Sequence, residues 1–494
     1  MKTVAALALT CRRMTLPFLL STFLLFDLSV NGCSTNPATG ERQLNLVGEQ
    51  QEIAMGKQAD QEVVASMGLY PDQALQKYVA DLGAKLAASS ERPNLPWKYQ
   101  VIYDPVVNAF ALPGGFIYVT RGILTYLNNE AELVGVLGHE TGHVTAQHSV
   151  NQMSKQQLAQ LGLGLGAILK PEWAEKFGQL AGAGLGILFL KFSRDDENEA
   201  DKLGLRYMQK INEDPRQLAN VMTMLDEVTK AAGGGDTPEW LQTHPNPGNR
   251  RQAIEEQIAA EGKSLAGATV NRDQYLNRLD GLVFGENPRE GYFKGQTFYQ
   301  PDMKFRFDFP SGWKTQNQKQ AVAAISPNQD AMIVISLAKG NSAQAAASEF
   351  FSQQGLISQG TRSENIHGLS AVTGQFTAQT EQGNLAGQAT FLAYNNTVFQ
   401  ILGYGAQQSW GGYASAVSSS IGSFDRLTDP TALAVQPMRM KIVTVPQAMT
   451  IEEFANRYPS AVPVETLALI NGVEKGGRLS AGQKAKQVVG KKLQ

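Results

Sequence analysis

The chain has 494 residues, 43% apolar and 18% charged, enough for several domains with separate cores, and this composition excludes a disordered or coiled-coil protein. Its 43 basic and 45 acidic residues leave a formal charge of -2, so no general field gathers nucleic acid and no nucleic-acid partner is expected. The scarce residues say more: there are two cysteines, Cys11 and Cys33, and four of the five histidines (His139, His143, His148 and His244) fall between positions 139 and 244.

Residues 1–32 have the order of an export signal, with Lys2, Arg12 and Arg13 ahead of an apolar run from Met14 to Phe26. That run is too short to cross a hydrocarbon layer of roughly 30 Å. Val30-Asn31-Gly32-Cys33 resembles a bacterial lipobox, which implies lipid on Cys33 and a periplasmic chain anchored to a membrane, expected to be the outer one. Ordinary secretion with an unmodified Cys33 is the alternative. With Cys33 as the first residue of the mature chain, Cys11 leaves with the signal, so no intramolecular disulfide is expected. A linker follows over 33–43.

From 44 to 262 the pattern is α+β and mainly helical, with apolar residues at three- and four-residue spacing in Gln73 to Ala88 and Glu130 to His148. The exception is Asn108 to Thr120, where Pro113-Gly114-Gly115 breaks the pattern and Phe116 to Thr120 favours a strand. Leu180 to Leu190 is apolar and glycine-rich but too short to span; it reads as a buried helix or a membrane-facing loop. After Gly285 the alternation of Phe305, Phe307 and Phe309, and the runs 332–337, 389–394 and 398–402, predict strands, with helices near 342–354 and 409–421. A separate β-rich α+β domain over 291–427 follows. Its one histidine, His367, reads as structural.

The last segment, 442–489, resembles a LysM module, a small βααβ fold, through Thr450, Ile451, Phe454, Ala455, Leu467, Asn471-Gly472 and Gly482-Gln483. That resemblance implies peptidoglycan glycan as a ligand, although such modules also serve as spacers.

The chemistry is concentrated in His139-Glu140-Thr141-Gly142-His143. Four residues turn a helix about 400°, so both imidazoles leave nearly the same face and suit one small cation. Glu140 can then reach a water on that cation. A catalytic zinc needs a third protein ligand. His148 points away on a continued helix, and no glycine allows a turn back, so it reads as structural. In Ser193 to Asp201, Glu197 and Asp201 share a helix face; Glu197 is assigned as ligand and Asp201 as the acceptor that orients a zinc-bound imidazole. The competing reading is a solvated acidic helix start. His244 lies in a proline- and glycine-rich stretch, where it could fill the open zinc position, contact the oxyanion, or be a plain loop histidine.

Four motifs in this order resemble the gluzincin peptidases, a group that includes HtpX-like heat-shock proteases and CAAX prenyl endopeptidases, and most closely their bacterial lipoprotein or periplasmic BepA-like members. They are Asn108 to Gly115, His139 to His143, Ser193-Arg194 with Glu197 and Asp201, and His244-Pro245 with Arg250. The resemblance implies one Zn2+ held by His139, His143 and Glu197, Glu140 as base, His244 as a regulatory fourth ligand, and Arg250 near the site. It also implies an extended substrate paired with an exposed strand, for which Asn108, Ala109, Phe116, Ile117, Tyr118 and Val119 are the candidates. The expected activity is cleavage of unfolded or misassembled envelope proteins. An envelope assembly or chaperone-like factor and a peptidoglycan amidase remain the competing readings.

Overall fold

The structure is a computed structural model that describes residues 33–162, 190–231, 239–244, 247–380 and 383–492; the signal at 1–32 and all but the last residue of the Leu180–Leu190 segment lie outside these. Residues 33–43, expected as a linker, instead fall in a hairpin of β1 (Cys33–Thr35) and β2 (Arg42–Leu44). Helices α1 (Glu49–Met67) and α2 (Gln73–Ser89) follow, the second started by the Asp72 carboxylate, which accepts from the backbone N–H groups of Ala74 and Leu75. The next sheet contains β3 (Lys98–Ile102), β4 (Ala109–Leu112) and β5 (Phe116–Thr120) in the order β3-β5-β4.

This order corrects the expected exposed strand. Phe116, Ile117, Tyr118 and Val119 lie on the central strand, hydrogen-bonded to β3 on one side and β4 on the other, and all four are buried. A run apolar on both faces suits a strand covered on both sides, not an edge. The outer strand on this side is β4.

Helices α3 (Arg121–Tyr126), α4 (Glu130–Thr145) and α5 (His148–Gly162) follow, then α6 (Arg194–Lys210), α7 (Arg216–Ala231), α8 (Glu239–Thr243), α9 (Pro247–Glu261) and α10 (Arg272–Arg278). Every residue of α4 is buried. Its first turn is capped by the Asn129 side chain, which accepts from Glu132 N at 2.8 Å. A capping box of Ser193 and Asp196 starts α6. The two helices touch because glycines face each other. A Cβ on Gly142 would stand 2.9 Å from the Ala200 carbonyl oxygen, and one on Gly204 would stand 3.1 Å from the His139 nitrogen. Glycine costs about 1 kcal/mol in a helix interior relative to alanine; here that cost permits the close approach that sets α6 carboxylates opposite α4 imidazoles.

The segment from 291 to 427 has its own core around Phe298, Phe305, Phe307, Phe399 and Phe424. Its antiparallel seven-stranded sheet runs, in spatial order, Lys314–Asn317, Ala321–Ile325, Ala331–Leu337, Thr397–Ala406, Gly383–Tyr394, Leu369–Thr380 and Leu356–Ile366. Helices Ala343–Phe351 and Trp410–Gly422 pack on it.

The chain then returns to the first unit. Strand β6 (Val283–Phe284) pairs with β7 (Met438–Thr444), which pairs with β8 (Lys484–Val489); between the last two lie α11 (Ile451–Arg457) and α12 (Val464–Ile470). Met440, Ile451, Phe454, Leu467, Ile470 and Val488 belong to the same buried cluster as Leu124, Leu127, Leu137 and Leu218. At about 1.5–3 kcal/mol per buried apolar side chain, six contribute on the order of 10 kcal/mol before chain entropy is charged, so this end of the chain is part of the first core and not a tethered bead. Among the described residues no helix is long and apolar enough to cross a membrane.

Candidate metal centre

His139 and His143 leave α4 one turn apart, and their Nε2 atoms approach to 3.0 Å with rings nearly perpendicular at 83°. Glu197, on the first turn of α6, brings Oε1 to 3.5 Å from His143 Nε2 and Oε2 to 3.7 Å from His139 Nε2. His244, just after α8, completes the group: its Nδ1 is 2.8 Å from Glu197 Oε1 and 3.4 Å from His139 Nε2. One donor atom from each of the four residues lies within 4.8 Å of every other, and all four residues are buried. Glu140 sits beside them, with Oε1 3.8 Å from His244 Nε2.

Burial governs the protonation of this cluster. It lowers His139 and lowers His143 further, the second also by the facing histidines, and it takes His244 down to about 4 although Glu140 opposes the shift. The imidazoles are therefore neutral near pH 7, the form that binds metal. Burial raises Glu140 to about 7 against the nearby His244, and raises Glu197 to about 7 against Arg250. Glu140 Oε1 is buried with no hydrogen-bond partner. Two or three neutral imidazoles with a carboxylate and a bare carboxylate oxygen beside them fit zinc, which prefers such nitrogen and oxygen donors.

The surroundings fix the donors. Asp201 Oδ1 accepts from His139 Nδ1 at 3.0 Å, which leaves Nε2 bare. Arg250, on α9, donates to both Asp201 oxygens at 2.7 Å and places Nη1 2.7 Å from Glu197 Oε2. Burial alone would raise the Asp201 carboxyl, but the Arg250 guanidinium and His139 hold it well below the usual carboxylate range. A second clasp lies at the far end of α4, where buried Arg92 donates to the Val144 carbonyl at 3.0 Å and pairs with Glu52 at 2.8 Å.

Two observations depart from the sequence reading. His148 does turn back: Gln147 adopts φ 60, and His148 Nδ1 stands 2.9 Å from His143 Nδ1. Of the stretch around His244, the histidine itself is buried beneath an aromatic wall in which Trp240 stacks on it at 4.6 Å and Phe192 stacks on His143 at 4.2 Å. Sequence reasoning missed both rings; Trp240, one turn before His244, was the legible one. Asn108 stands just before β4, with Oδ1 buried and unpartnered, and Ala109 begins that strand, fully buried.

A helix bearing His-Glu-x-x-His, faced by a glutamate from a second helix, defines the class of metallopeptidase domains. Residues 73–258 match Peptidase family M48, and the chain carries a domain of that family. Peptidases of this family are zinc-dependent. The chain is similar to the β-barrel assembly-enhancing protease of Yersinia pestis, 34% identical over 210 residues that make up 40% of this chain and 42% of that one. It is also similar to the protein of that name in Escherichia coli K12, at 29% over 44% of this chain and 46% of that one. The mitochondrial metalloendopeptidase OMA1 of Schizosaccharomyces pombe is 33% identical over 44% of this chain and 65% of its own. The chain thus spans less than half the length of the two bacterial relatives.

Proposed function

We propose that this chain is a zinc-dependent endopeptidase of the bacterial cell envelope that hydrolyses unfolded or misassembled envelope proteins. The observation that carries the reading is the convergence of His139, His143, Glu197 and His244 on one point beside the unpartnered carboxylate oxygen of Glu140. The names of the bacterial relatives, which refer to β-barrel assembly, support the compartment and the substrate class.

Bound zinc supplies a Lewis acid for the scissile carbonyl and for the attacking water. His139, His143 and Glu197 would hold it, Asp201 and Arg250 keep His139 and Glu197 in place, and Glu140 would take the proton of the attacking water and return it to the leaving amine. His244 stands where a substrate or water must enter, so in this arrangement the site is closed and His244 with Trp240 must withdraw before turnover. An extended peptide lies along the outer strand β4, which follows Asn108. On the same reading, lipid on Cys33 tethers the chain to the membrane, and the LysM-like residues 442–489 contact peptidoglycan.

The test is zinc-dependent cleavage of unfolded envelope proteins by the parent, Glu140→Gln and His244→Ala. Loss of cleavage with zinc retained in the first, and faster cleavage in the second, are expected. A parent and a His244→Ala variant that both hold zinc and cleave nothing would reject the peptidase reading in favour of an assembly factor.

A further inference from the structure

His139 and His143 are oriented by different means. His139 is set by the ionic pair of Asp201 and Arg250. His143 is set by a hydrogen-bonded chain of His148, Glu199 and Asn36 that runs outward toward Cys33. We infer that His148, Glu199 and Asn36 are positioning residues for the metal centre, a relay that fixes the tautomer of His143 and makes the segment beginning at Cys33 part of the site. The inference rests on the reading that His143 binds metal through Nε2.

The left-handed turn at Gln147 is what brings the relay together. It starts α5 with the His148 ring 4.9 Å from that of His143, edge to face at 76°. The two Nδ1 atoms lie 2.9 Å apart, so one must carry a proton and the other must accept it. His148 Nε2 lies 3.2 Å from Glu199 Oε2. An ionised carboxylate only accepts, so His148 donates from Nε2, and in the neutral ring its Nδ1 is then the acceptor. His143 must then donate from Nδ1, which leaves its Nε2 bare and aimed into the donor cluster. His148 is 3% exposed, so water does not compete for either bond.

Glu199 is fixed in turn. Its Oε1 accepts from Asn36 Nδ2 at 2.8 Å, and the Asn36 Oδ1 accepts from the backbone of Ala38 at 2.9 Å and of Thr39 at 3.3 Å, which locks the side chain within its own turn. The hairpin that carries Asn36 is bolted to the α4–α5 corner. Gln43 and Asn45 both donate to Gln147 Oε1, at 3.0 and 2.9 Å, Asn151 donates to the Leu44 carbonyl at 2.9 Å, and Leu46 N donates to Ser154 Oγ at 3.0 Å. Three hydrogen bonds therefore connect Asn36, three residues beyond Cys33, to a metal ligand.

The experiment measures zinc affinity of the full chain by competition with a chromophoric chelator, and the visible spectrum of the Co2+ form, for the parent, His148→Phe, His148→Asn and Asn36→Ala. Circular dichroism of the metal-free proteins reports folding. His148→Phe keeps the ring and removes the acceptor; a loss of affinity of about ten- to a hundredfold is expected, with an altered Co2+ spectrum. His148→Asn puts an amide oxygen where Nδ1 stood and should restore most of the affinity, which a loss of packing alone would not allow. Asn36→Ala should shift affinity in the same direction by a smaller factor, and it carries the test if His148→Phe does not fold. Parent-like affinity and spectrum in His148→Phe, or in Asn36→Ala where that variant carries the test, overturn the relay while leaving the metal reading intact, as does equal loss in the Phe and Asn variants. A parent that takes up no zinc overturns both.

Discussion

The ammonium of Lys486, fully buried near the end of the chain, donates to the Thr125 carbonyl at the end of α3, 2.9 Å away. Its remaining protons go to the carbonyls of Leu127 and Ile470 at 2.5 and 2.7 Å. Three donors thus meet three carbonyls, two in the peptidase domain just ahead of α4 and one in α12, and Glu132 nearby opposes the burial that pushes Lys486 well below the usual lysine range. The C-terminal strands thereby brace the start of the helix that carries His139 and His143.

Lys486→Met keeps the length of the side chain and strands those carbonyls. Stability should fall by about 3 kcal/mol, the scale of breaking a buried charged contact and leaving its partners unpaired. Urea unfolding followed by circular dichroism checks this. If the segment were an independent module, the variant would melt that segment alone and leave zinc affinity unchanged; the shared core predicts that both fall together.

Gly142→Ala tests the contact between α4 and α6. In an open helix the change would stabilise by about 1 kcal/mol. Here the new methyl meets the Ala200 carbonyl oxygen at 2.9 Å, backbone that cannot rotate away. The helices must part and carry Glu197 from the imidazoles. Zinc affinity should drop by about tenfold, comparable to losing a supporting contact, with helix content unchanged. Unaltered affinity would mean that α6 does not set the ligand geometry.

The parts of the site that repeat with the helical period were legible in the sequence. His139 with His143, and Glu197 with Asp201, are four residues apart, and the structure brings the two pairs face to face. The β-rich segment was legible for a similar reason, since Phe305 and Phe307 alternate into its core. What failed depended on partners distant in sequence. Strand order put Phe116–Thr120 in the middle of its sheet, and a run with no polar alternation already argued against an edge. The return of His148 needs a positive φ at Gln147, a conformation for which a glycine or asparagine would have been the signal. The docking of the C-terminal strands turns on Lys486, a residue type almost always read as surface.

Removal of metal should be felt by the whole first core, because the donors come from α4, α6 and the end of α8. With free zinc at roughly a thousand times its Kd, mass action adds about 4 kcal/mol to the folded state. Chelation should therefore lower the melting temperature of the parent, and readdition of zinc should restore it. Glu197→Gln should show a much smaller response. A parent whose melting is indifferent to chelator at every zinc concentration would mean that no ion is held by the folded chain.

Glu213 gives a pH dependence away from the metal centre. It follows α6, with Oε2 buried and without a hydrogen-bond partner. Burial, then Glu130 and, less strongly, Asp214 raise its carboxyl from 4.5 to about 7, while Lys85 opposes them. The folded chain thus keeps a proton that the unfolded chain releases near 4.5. Between those two values the native state binds more protons, so this residue's contribution to stability declines as pH rises through the window and is constant above it. Glu213→Gln removes the titration. Its stability relative to the parent should grow from about pH 5 to about pH 7 and then level off. Urea midpoints for the two proteins across that range decide the matter: curves that stay parallel would show that Glu213 is ionised in the folded chain throughout, with Lys85 or solvent supplying the partner it lacks.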